Sequence, residues 1–235
     1  MRYAHPVRGG VARWKRGVAG NGLRAAVHYA FDGVCDGARA DRLASVGAAV
    51  DYAHAGSTVT RFTSTADGIS TDELGVEQLK AWVGGADPVT GEHRGYQMQG
   101  PDADLLFDAT VNAPKTLSLA AMLDPEIAAA FDALQGRIRD RTIEMWRTEL
   151  NARRGAGGRV RMELAQIEVV ELKHARSRSL DPHAHTHLWL NARVLGQDGR
   201  WSNLESRTML RFQTLVNAEG QLAADIEQAA MLDDG

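Results

Sequence analysis

The chain has 235 residues, 44% of them hydrophobic, which is enough for one large domain with a substantial core. The single cysteine, Cys35, excludes a disulfide framework and is typical of a reducing cytosol. The N-terminus lacks the apolar core of a signal peptide, and no run approaches the ~18 apolar residues of a membrane span, so we expect a cytoplasmic protein.

The charge is unevenly distributed. The formal net charge of −3 argues weakly against a nucleic-acid partner. However, residues 1–24 carry six Arg or Lys and no acid, and residues 137–178 carry eleven against six acids. Local charge determines the affinity for phosphate, so these two segments are candidates for DNA contact. A basic helix is also typical of an ordinary solvated face, and both interpretations stay open.

In the first half of the chain, we predict helices separated by one strand. LRAAVHYAFDG (23–33) has a helical pattern that ends at a glycine, and the Ala-rich residues 37–56 predict a second helix around Leu43–Tyr52. The β-branched STVTRFTST (57–65) predicts a strand. STDELGVEQLKAWVGG (70–85) starts with Ser/Thr and stops at Gly, which predicts a helix, and ADPVTGEHRG predicts a turn after it.

The second half predicts a sheet and two more helical regions. ADLLFDATV (103–111) predicts a buried strand, and NAPKTLSLAAML a helix with Pro114 in its first turn. Residues 124–154 have the pattern of one long amphipathic helix, and GAGG after it predicts a loop. RMELAQIEVVELKHARS and HAHTHLWLNARVL predict two strands joined by the turn RSLDP. GQDGR predicts a tight turn, WSNL a strand, and the segment from Glu205 a helix.

These elements predict an α+β fold with a central antiparallel β-sheet and flanking helices. The central hairpin of that sheet spans about residues 161–194.

The segment LDPHAHTHLWLNARV contains three histidines at alternate positions. Residues i and i+2 of a strand point to one face, ~6.6 Å apart, so two such imidazoles can share an ion, whereas His183 and His187 are ~13 Å apart. A third ligand must come from elsewhere, and the hairpin returns His174 beside the second strand. Spacing alone permits His183 with His185 as well as His185 with His187.

Three neutral imidazoles leave coordination positions open for water or a phosphate oxygen, as in catalytic metal sites. The alternative is that these histidines are surface or hydrogen-bonded core residues. Two other histidine-rich metal families fit poorly, because Leu188 and Trp189 occupy the positions where a metallo-β-lactamase or a cupin needs an acid or a further histidine.

The segment HARSRSLDPHAHTHLWLNARVLGQDGRW resembles the histidine motif of the MobF-type conjugative relaxases, which are HUH endonucleases. The resemblance implies that His174, His185 and His187 are the metal ligands and that His183 lies outside the set. It also implies a palm-type HUH relaxase fold and a divalent ion. That ion is Mg²⁺ or Mn²⁺, although Zn²⁺ or Ni²⁺ also suits three histidines.

A second block, FDATVNAPKTLSLAAMLDPE, is similar to the family segment that carries its active-site acid. The match places that role on Asp108, which would orient a metal histidine or accept the tyrosine proton. A third segment, GVEQLKAWVGGADPVTGE, matches the family less specifically. Taken together, the similarity covers roughly residues 20–217.

The nucleophile is the main departure from the family, because many members carry paired tyrosines and this chain has no Tyr-Tyr pair. RAAVHYAFDG resembles the first tyrosine segment and VDYAHAG the second. Tyr29 is therefore the first candidate and Tyr52 the second.

The resemblance implies that the protein nicks and rejoins single-stranded DNA at a transfer origin of a plasmid or other element, through a 5′-phosphotyrosyl intermediate. Lys115, Arg176 and Arg178 flank the expected site and are candidate phosphate contacts. Accessory DNA-binding proteins and a coupling protein are expected partners. We expect residues 1–235 to form one relaxase domain, truncated before a C-terminal extension or a helicase domain.

Two other functions remain possible from the sequence. A rolling-circle replication-type HUH nuclease usually carries its tyrosine on a helix after the histidines, and no tyrosine follows Tyr96 here. A metal-dependent DNA-binding module without nuclease activity would fit the missing tyrosine pair.

Overall fold

The computed structural model describes residues 10–32, 58–96, 99–112, 115–176 and 182–211. These residues form nine β-strands and five α-helices. The strands are β1 (Val11–Lys15), β2 (Thr58–Thr65), β3 (Gly68–Gly75), β4 (Asp104–Asn112), β5 (Asn151–Arg154), β6 (Val160–Arg176), β7 (Pro182–Asn191), β8 (Arg193–Gly196) and β9 (Trp201–Asn203). The helices are α1 (Asn21–Asp32), α2 (Val76–Val83), α3 (Lys115–Leu123), α4 (Pro125–Glu149) and α5 (Ser206–Arg211).

The strands form one antiparallel sheet with the order β1-β4-β7-β6-β2-β3. The central pair, β6 and β7, is a hairpin in which His174 lies opposite His185 and Leu172 opposite His187. On its other side, β7 pairs with β4, and Thr110 lies opposite His187. The far end of β6 pairs with β5 and β8 instead. The predicted α+β fold and its central hairpin are therefore confirmed.

Helices cover both faces of the sheet. One face packs against α4 through buried side chains that include Ile138 and Trp146. The other face packs against α1 and α2 through Ala26, Ala30 and Trp82. Alternate residues of a strand point to the same face. Asp108, His174 and His187 lie two positions from the buried Leu106, Leu172 and Trp189, so they face α1 as well. That face carries the candidate site.

The long helix predicted for residues 124–154 is shorter than expected. Asp124 caps α4 by accepting hydrogen bonds from the backbone N–H groups of Glu126 and Ile127, at 2.8 and 3.3 Å. The helix ends at Glu149, because Leu150 is extended and buried and the following residues pair with β6 as β5. Burial of Leu150 and the sheet pairing outweigh the helical pattern of the last five residues.

The helix predicted for residues 70–85 is wrong in its first half. Residues up to Gly75 form β3, which pairs with β2 along its whole length, and the helix α2 begins only at Val76. The sequence of β3 does not predict a strand, because its residues are mostly exposed at an edge of the described sheet. They show no alternation of apolar and polar side chains. Asp72 is held there by Arg61, with hydrogen bonds of 2.9 and 2.7 Å.

The strand predicted for residues 183–195 is interrupted, because β7 ends at Asn191 and β8 begins at Arg193. The Asn191 side chain is buried, donates to the carbonyl oxygen of Trp82 and accepts from the N–H of Arg193, both at 2.8 Å. The strand β1 had not been predicted. The predictions of α1, β2, β4, the helix α3 and β9 are confirmed.

Four expected features lie outside the described residues: the helix around Leu43–Tyr52, Pro114 in the first turn of α3, the RSLDP turn up to Asp181, and the helix beyond Arg211. Among the helices that are described, none has the length and apolar character needed to span a membrane.

A buried charge cluster fastens α2 to the sheet. Glu168 of β6 is 1% exposed and accepts a hydrogen bond of 2.7 Å from Trp82 Nε1 of α2. It also forms ion pairs with Arg94 and with Arg61, the latter at 3.3 Å. Each guanidinium group also pairs with a more exposed carboxylate, Asp72 for Arg61 and Asp87 for Arg94, but Glu168 is the buried carboxylate that they share.

Glu168→Ala is expected to lower the free energy of unfolding by about 3–5 kcal/mol, because it removes the buried carboxylate that two guanidinium groups and the Trp82 indole share. Urea denaturation measures this change. The matched control is Glu77→Ala, which removes an exposed partner of Lys80 and should change stability by less than about 1 kcal/mol. Equal stability of the two variants would show that the cluster contributes nothing.

Candidate active site

Three histidines converge at one end of the central hairpin. One ring nitrogen from each of His174, His185 and His187 lies within 4.8 Å of the other two. The hairpin register brings them together, because His174 lies opposite His185, and His187 is the next residue of β7 on that face. His174 Nδ1 and His185 Nε2 are 3.3 Å apart. Two nitrogens bound to one tetrahedral ion at ~2.1 Å would be separated by roughly the same distance.

Hydrogen bonds fix two of these rings. His185 Nδ1 donates to the carbonyl oxygen of His183 at 2.9 Å, and His187 Nδ1 donates to Asp108 Oδ1 at 2.8 Å. Anchoring Nδ1–H on an oxygen leaves the Nε2 lone pair available as a ligand, which is the usual support of a metal-binding histidine. The donor set and its supporting shell therefore fit a divalent cation.

His185 is buried in its neutral form. Burial, aided by the neighbouring His187 and His183, lowers the pKa of His185 to about 4. The His185 ring is consequently neutral at physiological pH, and its Nε2 can bind a metal ion without first losing a proton.

Asp108 supports His187 from the adjacent strand. Its side chain is 8% exposed, and its second oxygen, Oδ2, accepts a hydrogen bond of 3.2 Å from Trp14 Nε1. Thr110 Oγ1 lies 3.5 Å from His187 Nδ1 on the same strand. Asp108 is connected to the Tyr29 hydroxyl through the His187 ring. This favours a role in orienting His187 over a role as the direct base for the tyrosine proton.

Tyr29 reaches the cluster from α1. It lies on the helix face of Ala26 and Ala30, which packs against the sheet. Its hydroxyl is 3.0 Å from His187 Nε2. Its ring lies against Trp14, at a centroid distance of 5.6 Å, and is stacked on Trp189 at 5.9 Å. The two tryptophans hold the phenol so that its oxygen points at the histidines.

The other predicted site residues divide into two groups. Tyr52 and Arg178 lie outside the described residues, and for Arg176 only the backbone, at the end of β6, is described. Lys115 is the exposed first residue of α3, and its charge acts on the His183 ring. His183 is not a member of the metal cluster found among the described residues.

Trp14 is a site residue that the sequence analysis missed. It belongs to β1, the edge strand that pairs with β4 opposite Leu106, and its indole contacts both Asp108 and Tyr29. The alternation of apolar residues in VARWK was the available signal, but it is too short to predict a strand by itself.

Asp108→Asn is expected to weaken Mn²⁺ binding by about 10–100-fold, because the neutral amide holds the His187 ring less firmly in its ligand orientation. Isothermal titration calorimetry measures the affinity. The matched control is Asp104→Asn on the same strand, whose carboxylate makes only a 3.7 Å ion pair with Arg13. An Asp108→Asn protein that binds Mn²⁺ as tightly as wild type would contradict this support role.

Comparisons with known proteins give matches in family and in fold. A family model described as TrwC relaxase matches residues 38–229. A metal-bound structure of the conjugative relaxase TrwC in complex with OriT DNA is similar, with a TM-score of 0.70 and 20% identity, over 95% of this chain and 70% of that chain. A TrwC complex with a 27-mer DNA comprising the recognition hairpin and the cleavage site has a TM-score of 0.68 and 18% identity, over 95% and 69%.

A copper-bound complex of TrwC with OriT DNA is similar at a TM-score of 0.69 and 21% identity, over 95% of this chain and 70% of that chain. At these identities the structural likeness shows the fold. No curated protein matches the chain.

Proposed function

The chain belongs to the TrwC relaxase family, the MobF-type conjugative relaxases, and from this premise we propose that it nicks and rejoins one DNA strand at a transfer origin. The observation that carries the proposal is the 3.0 Å separation between the Tyr29 hydroxyl and His187 Nε2, beside three histidines suited to a cation. A nucleophile and a metal site in contact are what a phosphotyrosyl transesterification requires.

In this reaction the Tyr29 oxygen forms a bond to the scissile phosphorus, and the bond from phosphorus to the 3′ oxygen breaks. The phenol proton is released and the 3′ oxygen leaves as a hydroxyl, while the 5′ end stays attached to the protein. Because one phosphoester replaces another, the bond energy is retained and the 3′-OH can reverse the step. Strand rejoining therefore needs no external energy source.

The residues around Tyr29 have distinct tasks. Trp14 and Trp189 fix the direction of the phenol, whose oxygen lies 3.0 Å from His187 Nε2. Asp108 keeps the proton of His187 on Nδ1, so that the lone pair of Nε2 faces the site and would be available to the ion. Tyrosine phenols ordinarily have a pKa near ~10, so the reaction needs a nearby positive charge, which the ion would supply beside the phenol oxygen.

His174, His185 and His187 would hold a divalent ion, for which we propose Mg²⁺ or Mn²⁺ in the cell and allow Zn²⁺ or Ni²⁺ at the same ligands. Such an ion, when bound, supplies positive charge that polarises a non-bridging phosphate oxygen and offsets the charge of the transition state. Three neutral ligands leave that charge uncompensated by the protein, which suits an anionic substrate.

We further propose that Lys115, Arg176 and Arg178 bind backbone phosphates and that Tyr52 is the alternative nucleophile. The protein would act in the cytoplasm with accessory DNA-binding proteins and the coupling protein of a conjugation system. Residues 1–235 would work as one relaxase domain.

Adduct formation tests the proposed function. The protein is incubated with Mn²⁺ and labelled single-stranded DNA spanning candidate transfer origins, and products are separated under SDS denaturation. We expect a covalent protein–DNA band on the cognate strand and none on its complement. EDTA should prevent the band. If no candidate origin gives an adduct, or if the adduct forms equally on both strands, the proposal is wrong.

A further inference from the structure

His183 lies beside the metal cluster but outside it. It is on the same face of β7 as His185, and the two rings are stacked with centroids 5.4 Å apart and planes at 28°. The cluster found among the described residues contains His174, His185 and His187 only. A fourth imidazole in this place calls for a different role from that of a ligand.

The two nitrogens of the His183 ring differ in access. Nδ1 is buried and has no hydrogen-bond partner among the described residues, while the side chain as a whole is only half-buried. A buried lone pair is less unfavourable to leave unmatched than a buried N–H. The proton of the neutral ring therefore belongs on Nε2.

The helix α3 brings a positive charge to the same place. Ser118 Oγ accepts a hydrogen bond of 3.0 Å from the N–H of Ala184, which fastens the first turn of α3 to β7. Lys115 precedes Ser118 by one turn and is the first residue of the nine-residue helix. Ala184 follows His183 in β7, so the first turn of α3 that carries Lys115 lies beside this end of the strand. A lysine, an imidazole N–H and a helix N-terminus together favour an anion.

We propose that Lys115 and His183 bind the DNA backbone phosphate next to the one that Tyr29 attacks. His183 precedes the ligand His185 by two residues on the same strand face, and their ring centroids are 5.4 Å apart. The subsite is therefore displaced from the metal cluster by a distance of that size. Lys115 contributes attraction to this phosphate, and the Nε2–H of His183 donates to one of its oxygens. By holding the neighbouring phosphate, the subsite determines which phosphodiester linkage of the DNA lies in front of Tyr29. This inference rests on the proposed function.

The test uses a short fluorescent oligothymidylate as the probe, with Mn²⁺ present and the Tyr29→Phe background to prevent cleavage. Fluorescence anisotropy gives the affinity at several salt concentrations. We expect Lys115→Met to weaken binding about tenfold at low salt and to reduce the salt slope by about 0.7. His183→Ala should weaken binding several-fold without changing Mn²⁺ affinity. His183→Gln, which places an N–H near the position of Nε2, should restore most of it.

The matched control is Lys173→Met on the adjacent strand β6, where the lysine points to the opposite face and pairs with Asp132. It should leave oligothymidylate binding unchanged. Since both proposed groups contact one phosphate, the Lys115→Met/His183→Ala double variant should lose less affinity than the product of the two single losses.

The inference is overturned if Lys115→Met binds like the Lys173→Met control, if the two losses are independent, or if His183→Ala reduces Mn²⁺ affinity. These results do not depend on cleavage. Failure of the proposed function would instead appear as a missing adduct with unaltered Tyr29, so the two failures can be told apart.

Discussion

Tyr29→Phe is expected to eliminate the covalent protein–DNA adduct, slowing its formation by about a thousandfold or more. The variant lacks only the hydroxyl oxygen, which lies 3.0 Å from His187 Nε2 and is the atom that would become bonded to phosphorus. The phenyl ring can keep its contacts with Trp14 and Trp189. Affinity for Mn²⁺ and for single-stranded DNA should therefore remain close to that of wild type. The adduct is measured after SDS denaturation with the cognate origin strand.

Two further tyrosine variants make the Tyr29 result specific. Tyr96→Phe is the matched control, because that side chain is 85% exposed, and it should form the adduct at the wild-type rate. Tyr52→Phe examines the second candidate, which lies outside the described residues. Full adduct formation by Tyr29→Phe together with loss in Tyr52→Phe would assign the nucleophile to Tyr52 and refute our choice.

The histidine cluster was accessible to sequence reasoning because its geometry is local. Alternation along a strand and the return of a hairpin determine which imidazoles share a face, and His174 does lie opposite His185. Spacing left His183 and His187 equivalent, and only the family motif separated them. In the structure the difference has a physical cause: His187 lies deeper in the sheet, beside Asp108 of β4, whereas His183 lies near the strand end against α3.

The parts of the site that spacing and periodicity did not predict come from distant segments. Tyr29 contacts a residue 158 positions away, and Trp14 contacts one 94 positions away. No periodicity within a window of a few turns encodes such a contact, so only the resemblance pointed to Tyr29 and nothing pointed to Trp14. The strand β3 was missed for a different reason. It is mostly exposed at an edge of the described sheet, and without a buried face its sequence need not alternate between apolar and polar residues.

The basic segment 137–178 illustrates why charge counts overstate DNA-binding surfaces. Arg139 pairs with Asp140 and Glu171 and lies over the Phe62 ring, at 4.1 Å from its centroid. Arg154 forms a 2.7 Å ion pair with Asp198. These two guanidinium groups, one on α4 and one on β5, are committed to the fold and are not part of a solvated helix face. Evidence for phosphate binding therefore has to come from residues next to the site, such as Lys115.

The second large effect concerns the metal. His185→Ala and His187→Ala are each expected to reduce Mn²⁺ affinity by more than the ~10–100-fold loss typical of changes to supporting residues, because each removes a ligand itself. His174→Ala should behave alike, since its ring nitrogen is within 4.8 Å of the other two. Calorimetric titration with Mn²⁺ measures the affinity, and adduct formation should fall in parallel.

His183→Ala is the decisive control for this prediction, because it removes an equally near histidine of the same strand without removing a proposed ligand. It should bind Mn²⁺ like wild type, although it should weaken single-stranded DNA binding, because the proposed phosphate donor is lost. The carbonyl oxygen that holds His185 Nδ1 belongs to the backbone and survives the substitution. Loss of Mn²⁺ binding in His183→Ala with retention in His174→Ala would instead place the ion between His183 and His185, the pairing that spacing alone also permits.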